Sequence, residues 1–219
     1  MRRRHFTLAG LAALAAPLHA QSPRRLRIGV LRLASSGAVF IAEKSGYFAA
    51  AGLAPELVYF DAAQPIAVAA ASNDIDIGVT AFTTGLFNLA GKGALSVIAG
   101  QSREVPGFPL IGYLAATHAA AGAAMKRPAD LAGHRVGITQ TGSTFHYSLA
   151  LLAKKYGFPL ASVPLVALQS LTNVAAAVKG GAVDGALLPV TTLRPLLDAG
   201  DARLLGWVGD ETPWQLGCA

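Results

Sequence analysis

The sequence predicts an α/β fold in which mostly parallel sheets are covered by helices. Two observations predict it: short apolar runs alternate with helical patterns along most of the chain, and 53% of the 219 residues are hydrophobic while 14% are charged. This alternation is typical of parallel sheets whose two faces are buried. Cys218 is the one cysteine, so no intramolecular disulfide can form and the fold depends on its apolar core.

The first half of the chain predicts four strands with three helices between them. Each strand is a run of about five mostly apolar residues, and the helical patterns fill the intervals. The predicted elements are a strand at 26–31, a helix at 38–49, a strand at 56–60, a helix at 65–71, a strand at 75–79, a helix at 84–90 and a strand at 95–99.

The second half repeats this alternation from residues 110–114 onwards. We expect strands at 135–139, 163–167, 183–188 and 203–207, and helices at 143–156, 171–178 and 192–198. The stretch 105–109 contains glycine and two prolines, which favour a connection between units. We therefore expect two α/β units joined by a hinge near residues 103–116.

Residues 1–20 have the pattern of an export signal. Arg2, Arg3 and Arg4 precede a short apolar run at 8–16, and small residues flank a cleavage site after Ala20. The run is shorter than the about 20 apolar residues that span a bilayer, so we expect a periplasmic protein without a stable membrane span. Arg3-Arg4-His5-Phe6 also has the Arg-Arg-x-Phe form of a twin-arginine signal, and both export routes stay open.

Charge and histidine spacing argue against nucleic-acid and metal binding. Outside residues 1–20 the chain has 15 basic and 12 acidic residues, and no basic block contains interleaved aromatic residues. The five histidines lie far apart without metal-ligand spacing. We therefore expect no nucleic-acid partner, no metal and no cofactor.

Four motifs in order resemble the periplasmic substrate-binding proteins of ABC importers, in the group that takes nitrate, sulfonates, taurine and thiamine-pyrimidine precursors. They are a Gly-Tyr-Phe and Ala-Gly-Leu phrase within 40–53, Asn-Asp-Ile-Asp-Ile-Gly at 73–78, Asp-Leu-x-Gly-x-x-Val-Gly within 127–138, and a Gly-x-Val-Asp turn within 180–186. The resemblance implies a two-lobed fold of the type II periplasmic-binding class, with ligand held between lobes that close about a hinge.

The resemblance also implies the domain organisation and the partners. We expect a first lobe at 21–109, a second lobe at 110–208, and a return towards the first lobe at 209–219. Members of this group usually continue further, so we expect a C-terminally truncated chain whose first lobe is incomplete. The ligand would be a small anionic or zwitterionic molecule, delivered to a permease and an ATPase on other chains, because this chain has no phosphate-binding loop of the Gly-x-x-x-x-Gly-Lys type.

The binding site should lie at the carboxyl ends of the strands, where helices begin. Open α/β sheets place ligands in that crevice, and free N–H groups at a helix start favour an acidic group. Four loops rich in hydroxyls and small residues satisfy this expectation. The candidate residues are Ser35, Ser36, Gly37, Phe40, Ala81, Phe82, Thr83, Gln140, Thr141, Gly142, Ser143, Thr144, Pro189 and Thr191.

Within this set, residues 141–144 are the strongest candidates for contact with an acidic group. Simple helix N-capping explains any single Ser or Thr equally well, and Phe40 and Phe82 fit either a cleft wall or the core. The four loops contain no arginine, which favours an organic ligand with one acidic end, although Arg103 near the hinge could change this.

Two other classes remain open. A pyrimidine-synthase-like enzyme has the same fold, but its cysteine-rich motif is absent from this sequence. A ligand-sensing module also uses similar lobes, but the sequence has no helix-turn-helix or kinase segment. Fold alone does not separate these readings.

Overall fold

The computed structural model describes residues 22–212 and 214–218, and side chains as far as Thr212. The export signal predicted at residues 1–20 lies outside this part of the chain. In the described residues, no helix combines the length and the apolar character needed to cross a membrane.

The N-terminal half of the chain contains a parallel sheet of three strands in the order β2-β1-β3. Its elements are β1 (Arg24–Leu31), α1 (Gly37–Lys44), α2 (Tyr47–Ala50), β2 (Leu53–Phe60), α3 (Ala63–Ala71), β3 (Ile77–Gly78), β4 (Thr80–Ala81), α4 (Thr84–Gly91) and β5 (Gly100–Glu104).

Strand β1 is buried on both faces, as expected for the centre of a parallel sheet. Ile28 and Val30 pack in one apolar cluster with Val79, whereas Leu31 packs in another with Ile66 and Ile75. Residues on alternating faces of one strand therefore join two separate layers of the core. These contacts fix the carboxyl end of β1 and the loop that follows it.

The C-terminal half contains a five-stranded sheet in the order β10-β6-β9-β7-β8. Only β6 runs against its neighbours, so four of the five strands share one direction. The elements are β6 (Ile111–Ala116), α5 (Ala120–Ala124), β7 (Val136–Ile138), α6 (Thr144–Tyr156), β8 (Leu165–Ala167), α7 (Leu171–Lys179), β9 (Gly185–Pro189), α8 (Val190–Asp198), β10 (Ala202–Trp207), α9 (Val208–Glu211) and β11 (Trp214–Cys218).

Helix α6 presents an apolar stripe to this sheet. Phe145, Leu149 and Leu152 recur at helical spacing, and all three are buried in one cluster with Ile111 and Ile138. The packing fixes the direction of α6, whose first turn lies at the carboxyl end of β7.

The backbone of β11 joins the last residues of the chain to the N-terminal half. It pairs antiparallel with both β4 and β5, between which it lies. Two segments therefore connect the halves: the passage from β5 to β6, and the passage from α9 to β11.

Most of the predicted helices and strands are present, the sequence does not predict the short elements β4, α5, α9 and β11, and two predictions differ from the structure. The single helix predicted at 38–49 is two helices, because Gly46 adopts a left-handed conformation with φ 73° between α1 and α2. The strand predicted at 95–99 is wrong: these residues form no strand, and β5 begins at Gly100.

Candidate functional site

An open cleft lies between the two halves of the molecule. Its volume is about 840 Å³, including the solvent at its mouth. The described residues that line it come from the ends of β1, β2, β7 and β9 and the loops after them, from strands β4, β5 and β6 with the residues before β4 and β6, and from the starts of α3, α6, α7 and α8. They are Leu31, Leu33, Ala34, Ser35, Ser36, Asp61, Ala62, Ala63, Val79, Thr80, Ala81, Gln101, Ser102, Leu110, Ile111, Thr139, Ser143, Thr144, Phe145, Leu171, Pro189, Val190 and Thr191.

The first turn of α6 supplies part of the cleft wall. Ser143 is the N-cap of this helix, and its Oγ accepts a hydrogen bond from the N–H of His146 at 3.4 Å. The N–H of Gly142 donates to His146 Nδ1 at 2.9 Å, which holds the preceding loop against the helix. His146 thus has a structural contact, and it does not line the cleft.

The starts of α4 and α6 touch each other directly. The N–H of Thr84 donates to the carbonyl of Gly142 at 3.0 Å, and Thr144 Oγ1 donates to the carbonyl of Phe82 at 3.3 Å. The rings of Phe87 and Tyr147 lie 6.1 Å apart beside these bonds. Both halves of the molecule are therefore in contact at one edge of the cleft.

Several polar groups of the cleft already have partners within the protein. Thr80 Oγ1 donates to the carbonyl of Ala63 at 2.9 Å, and Gln101 Nε2 donates to the carbonyl of Ser35. Together with the Thr144 bond, these contacts use donors that a ligand would otherwise meet. They fix the loops that follow β1 and β2.

Asp61 is the single charged residue among the described residues that line the cleft. It is exposed, and its carboxylate has no hydrogen bond or ion pair with any described residue. The neighbouring Arg32 lies over the ring of Tyr59, 4.2 Å from its centre. Arg103 is exposed on β5 and is not part of the cleft lining.

Half of the fourteen candidates from the sequence line this cleft. They are Ser35, Ser36, Ala81, Ser143, Thr144, Pro189 and Thr191. The other seven lie outside its lining and are Gly37, Phe40, Phe82, Thr83, Gln140, Thr141 and Gly142.

Three of the residues outside the lining, Phe40, Phe82 and Thr83, have structural contacts instead. Phe40 packs against the cluster of Ile28 and Val30, and Phe82 packs beside Leu86. Thr83 is fully buried and caps α4, where its Oγ1 accepts a hydrogen bond from the N–H of Leu86 at 3.1 Å. Phe40 and Phe82 therefore pack on the apolar core of the N-terminal half, in two separate clusters.

Sequence reasoning missed Asp61 and Gln101. Asp61 follows β2 as Ser35 follows β1, so the rule that ligand residues follow strands could have found it. Gln101 lies inside β5, where the sequence predicted a connection, and no local pattern marks it. The remaining missed residues are mainly apolar side chains of the core that reach the cleft wall.

A buried carboxyl lies beside the cleft where the chain passes between halves. Glu104 is fully buried, and its Oε1 accepts hydrogen bonds from the N–H groups of Leu110 at 2.9 Å, Ile111 at 3.1 Å and Gly209 at 3.3 Å. Burial raises the pKa of this carboxyl, although the three N–H groups oppose the rise. Its Oε2 has no hydrogen-bond partner among the described residues.

The donor set of the cleft does not favour a metal ion. Within residues 22–212, no group of three or more histidine, cysteine or acidic residues is arranged to hold one. The cleft instead combines hydroxyls, the free N–H groups at the start of α6 and an apolar wall, which suits a small organic molecule.

A family model described as NMT1/THI5-like matches residues 34–197, which is most of the chain. The chain belongs to this family. No curated protein matches it.

Solved structures of periplasmic binding proteins have the same fold as this NMT1/THI5-like chain. The alkanesulfonate-binding protein SsuA from Xanthomonas axonopodis pv. citri, bound to MOPS, has 25% identity and a TM-score of 0.70 over 90% of this chain and 65% of its own. The aliphatic sulphonate binding protein SsuA from Escherichia coli has 25% identity and a TM-score of 0.67, over 90% of this chain and 61% of its own.

A structure from Bordetella bronchiseptica RB50 gives a TM-score of 0.71 at 22% identity, over 91% of this chain and 63% of its own. The NMT1/THI5-like chain therefore has the α/β periplasmic-binding-protein fold, with parallel sheets flanked by helices. It spans less than two thirds of the length of these three structures.

Proposed function

We propose that this chain is the solute-binding component of an ABC importer. It captures a small organic solute with an acidic end, of the sulfonate or taurine type, between two lobes at 21–109 and 110–208. It then delivers the solute to a membrane permease. The proposal includes export to the periplasm through the signal at residues 1–20, and an ATPase supplied by another chain.

The single observation that carries this proposal is the cleft between the two halves, with the start of a long helix in its wall. Helix α6 has 13 residues, and the N–H groups of its first turn have the positive end of the helix dipole behind them. An acidic group gains hydrogen bonds there without a basic side chain. The sulfonate-binding proteins SsuA support the same solute class by their likeness in fold and sequence.

A capture role also agrees with the chemistry of the cleft wall. The described lining has no histidine, cysteine or lysine, and its one carboxylate, that of Asp61, forms no hydrogen bond with a serine or threonine that would pair a nucleophile with a base. We therefore propose binding without catalysis, and we do not favour the enzyme with the same fold.

The proposal predicts that a ligand stabilises the folded chain. A thermal-shift screen of the 219-residue protein against alkanesulfonates, taurine, carboxylates, nitrate and pyrimidines would test it. A ligand at about 100 times its Kd stabilises a protein by about 2.7 kcal/mol, which raises Tm by about 5–10 °C in a chain of this size. We expect one sulfonate-like class to give such a shift and the others to give less.

The double variant Ser143→Ala with Thr144→Ala should lose most of the shift, because it removes the N-cap of α6 and the bond to the Phe82 carbonyl, which hold the N–H groups of the first turn in place. Ser170→Ala is the matched control: Ser170 caps α7 through a 3.1 Å bond from the N–H of Asn173, and it does not line the cleft. Both changes remove a helix cap, which costs about 1 kcal/mol. Equal loss of ligand response in both variants, or no response to any class, would contradict the proposed function.

A further inference from the structure

We propose that Asp61 selects solutes that carry a positively charged nitrogen as well as an acidic group. The inference rests on the proposed solute-binding function and narrows its substrate class to amino-bearing solutes. It assigns to Asp61 the specificity for the basic end of the solute, while the start of α6 receives the acidic end.

The first argument is the charge of the cleft. Of the residues described in its lining, Asp61 alone is charged, and neither Arg32 nor Arg103 is among them. Arg32 follows Leu31, whose register partner on β2 is Phe60, but its guanidinium lies over the ring of Tyr59 and forms no ion pair with Asp61. A solute with a second negative end would therefore meet a like charge that forms no ion pair with a described residue, whereas an ammonium group would form a charge-assisted hydrogen bond.

The second argument is that the carboxylate of Asp61 is free to act. It has no hydrogen bond or ion pair with another described residue. The other acidic side chains that lie near strand ends are already paired, as Asp76 is with Arg27 at 3.4 Å and Asp184 is with Arg135 at 2.8 Å. Asp61 thus differs from carboxylates that serve the fold.

The third argument concerns the neutral donors around it. The hydroxyls of Thr80 and Thr144 donate to the carbonyls of Ala63 and Phe82. Gln101 donates to the carbonyl of Ser35. Thr80 and Thr144 have therefore already donated their single hydroxyl hydrogens, whereas the Asp61 carboxylate only accepts hydrogen bonds and is satisfied by a donor on the solute.

The fourth argument is the apolar wall. Leu31, Leu33 and Val79 from the first half face Ile111 and Phe145 from the second half across the same cleft. A bound solute between these side chains excludes water, and charge interactions weaken less by screening there than at an open surface. The negative charge of Asp61 therefore changes the affinity of the cleft for a solute according to the charge of the solute.

The test uses three sulfonates that differ at one end only. They are 2-aminoethanesulfonate (taurine), 2-hydroxyethanesulfonate and ethane-1,2-disulfonate, with Kd measured by calorimetry on the 219-residue chain. We expect taurine to bind about threefold to tenfold more tightly than the hydroxyl analogue, which is the range for a partly exposed ion pair. The disulfonate should bind most weakly.

Asp61→Asn should remove this ranking. The taurine and hydroxyl analogues should then have Kd values within about twofold of each other, and the disulfonate should gain affinity. Glu43→Gln is the matched control, because Glu43 is an exposed carboxylate on α1 of the same half and does not line the cleft. It should keep the original ranking and so exclude an effect of net charge alone.

The outcomes separate this inference from the proposed function. If the hydroxyl analogue or the disulfonate binds as tightly as taurine, or if Asp61→Asn leaves the ranking unchanged, the role of Asp61 is wrong while solute binding stands. If none of the sulfonates binds and no other class shifts Tm in the screen above, the proposed function and the inference fail together.

Discussion

Glu104 is a carboxylic acid enclosed at the point where two connections between the halves meet. One oxygen accepts N–H groups from Leu110 and Ile111 on the passage from β5 to β6, and a third from Gly209 at the start of α9. A single acceptor thereby satisfies three backbone donors that would otherwise be buried without partners. Glu104 is therefore a link between both connections.

We predict that Glu104 makes stability depend on pH. Burial raises its pKa above the ordinary value of 4.5, so the folded protein holds this proton to higher pH than the unfolded chain does. The resulting contribution is fully present below that ordinary value and is lost as the pH rises through the raised pKa. Glu104→Gln, which keeps an acceptor oxygen, should flatten this part of the profile when unfolding by urea is measured from about pH 4.5 to about pH 8.

Glu104→Ala separates the acceptor from the charge. It leaves three N–H groups without their partner and should lower the free energy of unfolding by roughly 3 kcal/mol near pH 4.5, with a smaller loss as the pH rises and the wild-type protein loses the Glu104 contribution. Parallel pH profiles for the wild-type protein and Glu104→Gln would contradict the assigned titration. A loss below about 0.5 kcal/mol in Glu104→Ala, the range of ordinary surface substitutions, would contradict the structural role.

Asp184 is a carboxylate whose pKa shifts in the opposite direction to that of Glu104, because it is paired with an arginine. Its two oxygens accept from the backbone N–H of Arg135 at 2.9 Å, and from Nε at 3.2 Å and Nη2 at 2.8 Å of the same residue. This pairing holds the pKa of Asp184 below its usual range. It joins the two sequence motifs within 127–138 and 180–186, so the residues that carry the family resemblance have structural contacts here.

At the scale of elements, the sequence predicts regular structure well where local signals agree. Helix α6 combines a Ser N-cap, an apolar stripe at helical spacing and a glycine directly after its last turn, and the prediction at 143–156 differs from it by one residue. The apolar run 95–99 satisfies the strand pattern equally well, yet forms no strand. The pairing that decides this involves β11, which is more than a hundred residues away and lies outside any local pattern.

In the candidate site, too, some residues could be predicted from local sequence signals and others depend on tertiary packing. Residues after strand ends, such as Ser35, Ser143 and Thr191, line the cleft because the parallel topology brings those ends together. Phe40 and Phe82 do not, since the sequence does not tell which face of a short helix or loop packs on the core. Gln101 belongs to the cleft through the register of β5 with β11, which is a tertiary property.

The C-terminal ends of two helices, α6 and α4, give a matched prediction on glycine. Gly157 follows α6 with φ 74°, a left-handed conformation that costs other residues about 1 kcal/mol, so Gly157→Ala should destabilise the protein by about that amount. Gly91 is the last residue of α4, where an added Cβ meets no atom within 4 Å, and Gly91→Ala should stabilise by about 0.5 kcal/mol. Urea unfolding measures both, and shifts of the same sign would contradict the backbone argument.

At the scale of the whole molecule, a small set of contacts holds the edge of the cleft closed. The bond from the N–H of Thr84 to the carbonyl of Gly142 is a direct backbone contact between the starts of α4 and α6. Breaking it should therefore change the distance between the halves without changing either sheet.

Thr84→Pro tests this step. Thr84 is the first residue of α4, where proline is tolerated, and Thr83 before it is extended with φ −122° and ψ 160°, as proline requires of its predecessor. The substitution removes the donor and places a ring carbon against the Gly142 carbonyl, whereas Thr84→Ala keeps the N–H and serves as control. We expect the proline variant to have a larger radius of gyration by small-angle scattering and to bind solute several-fold more weakly, because closure then costs more free energy. Identical scattering and affinity in both variants would mean that this bond does not hold the two halves together.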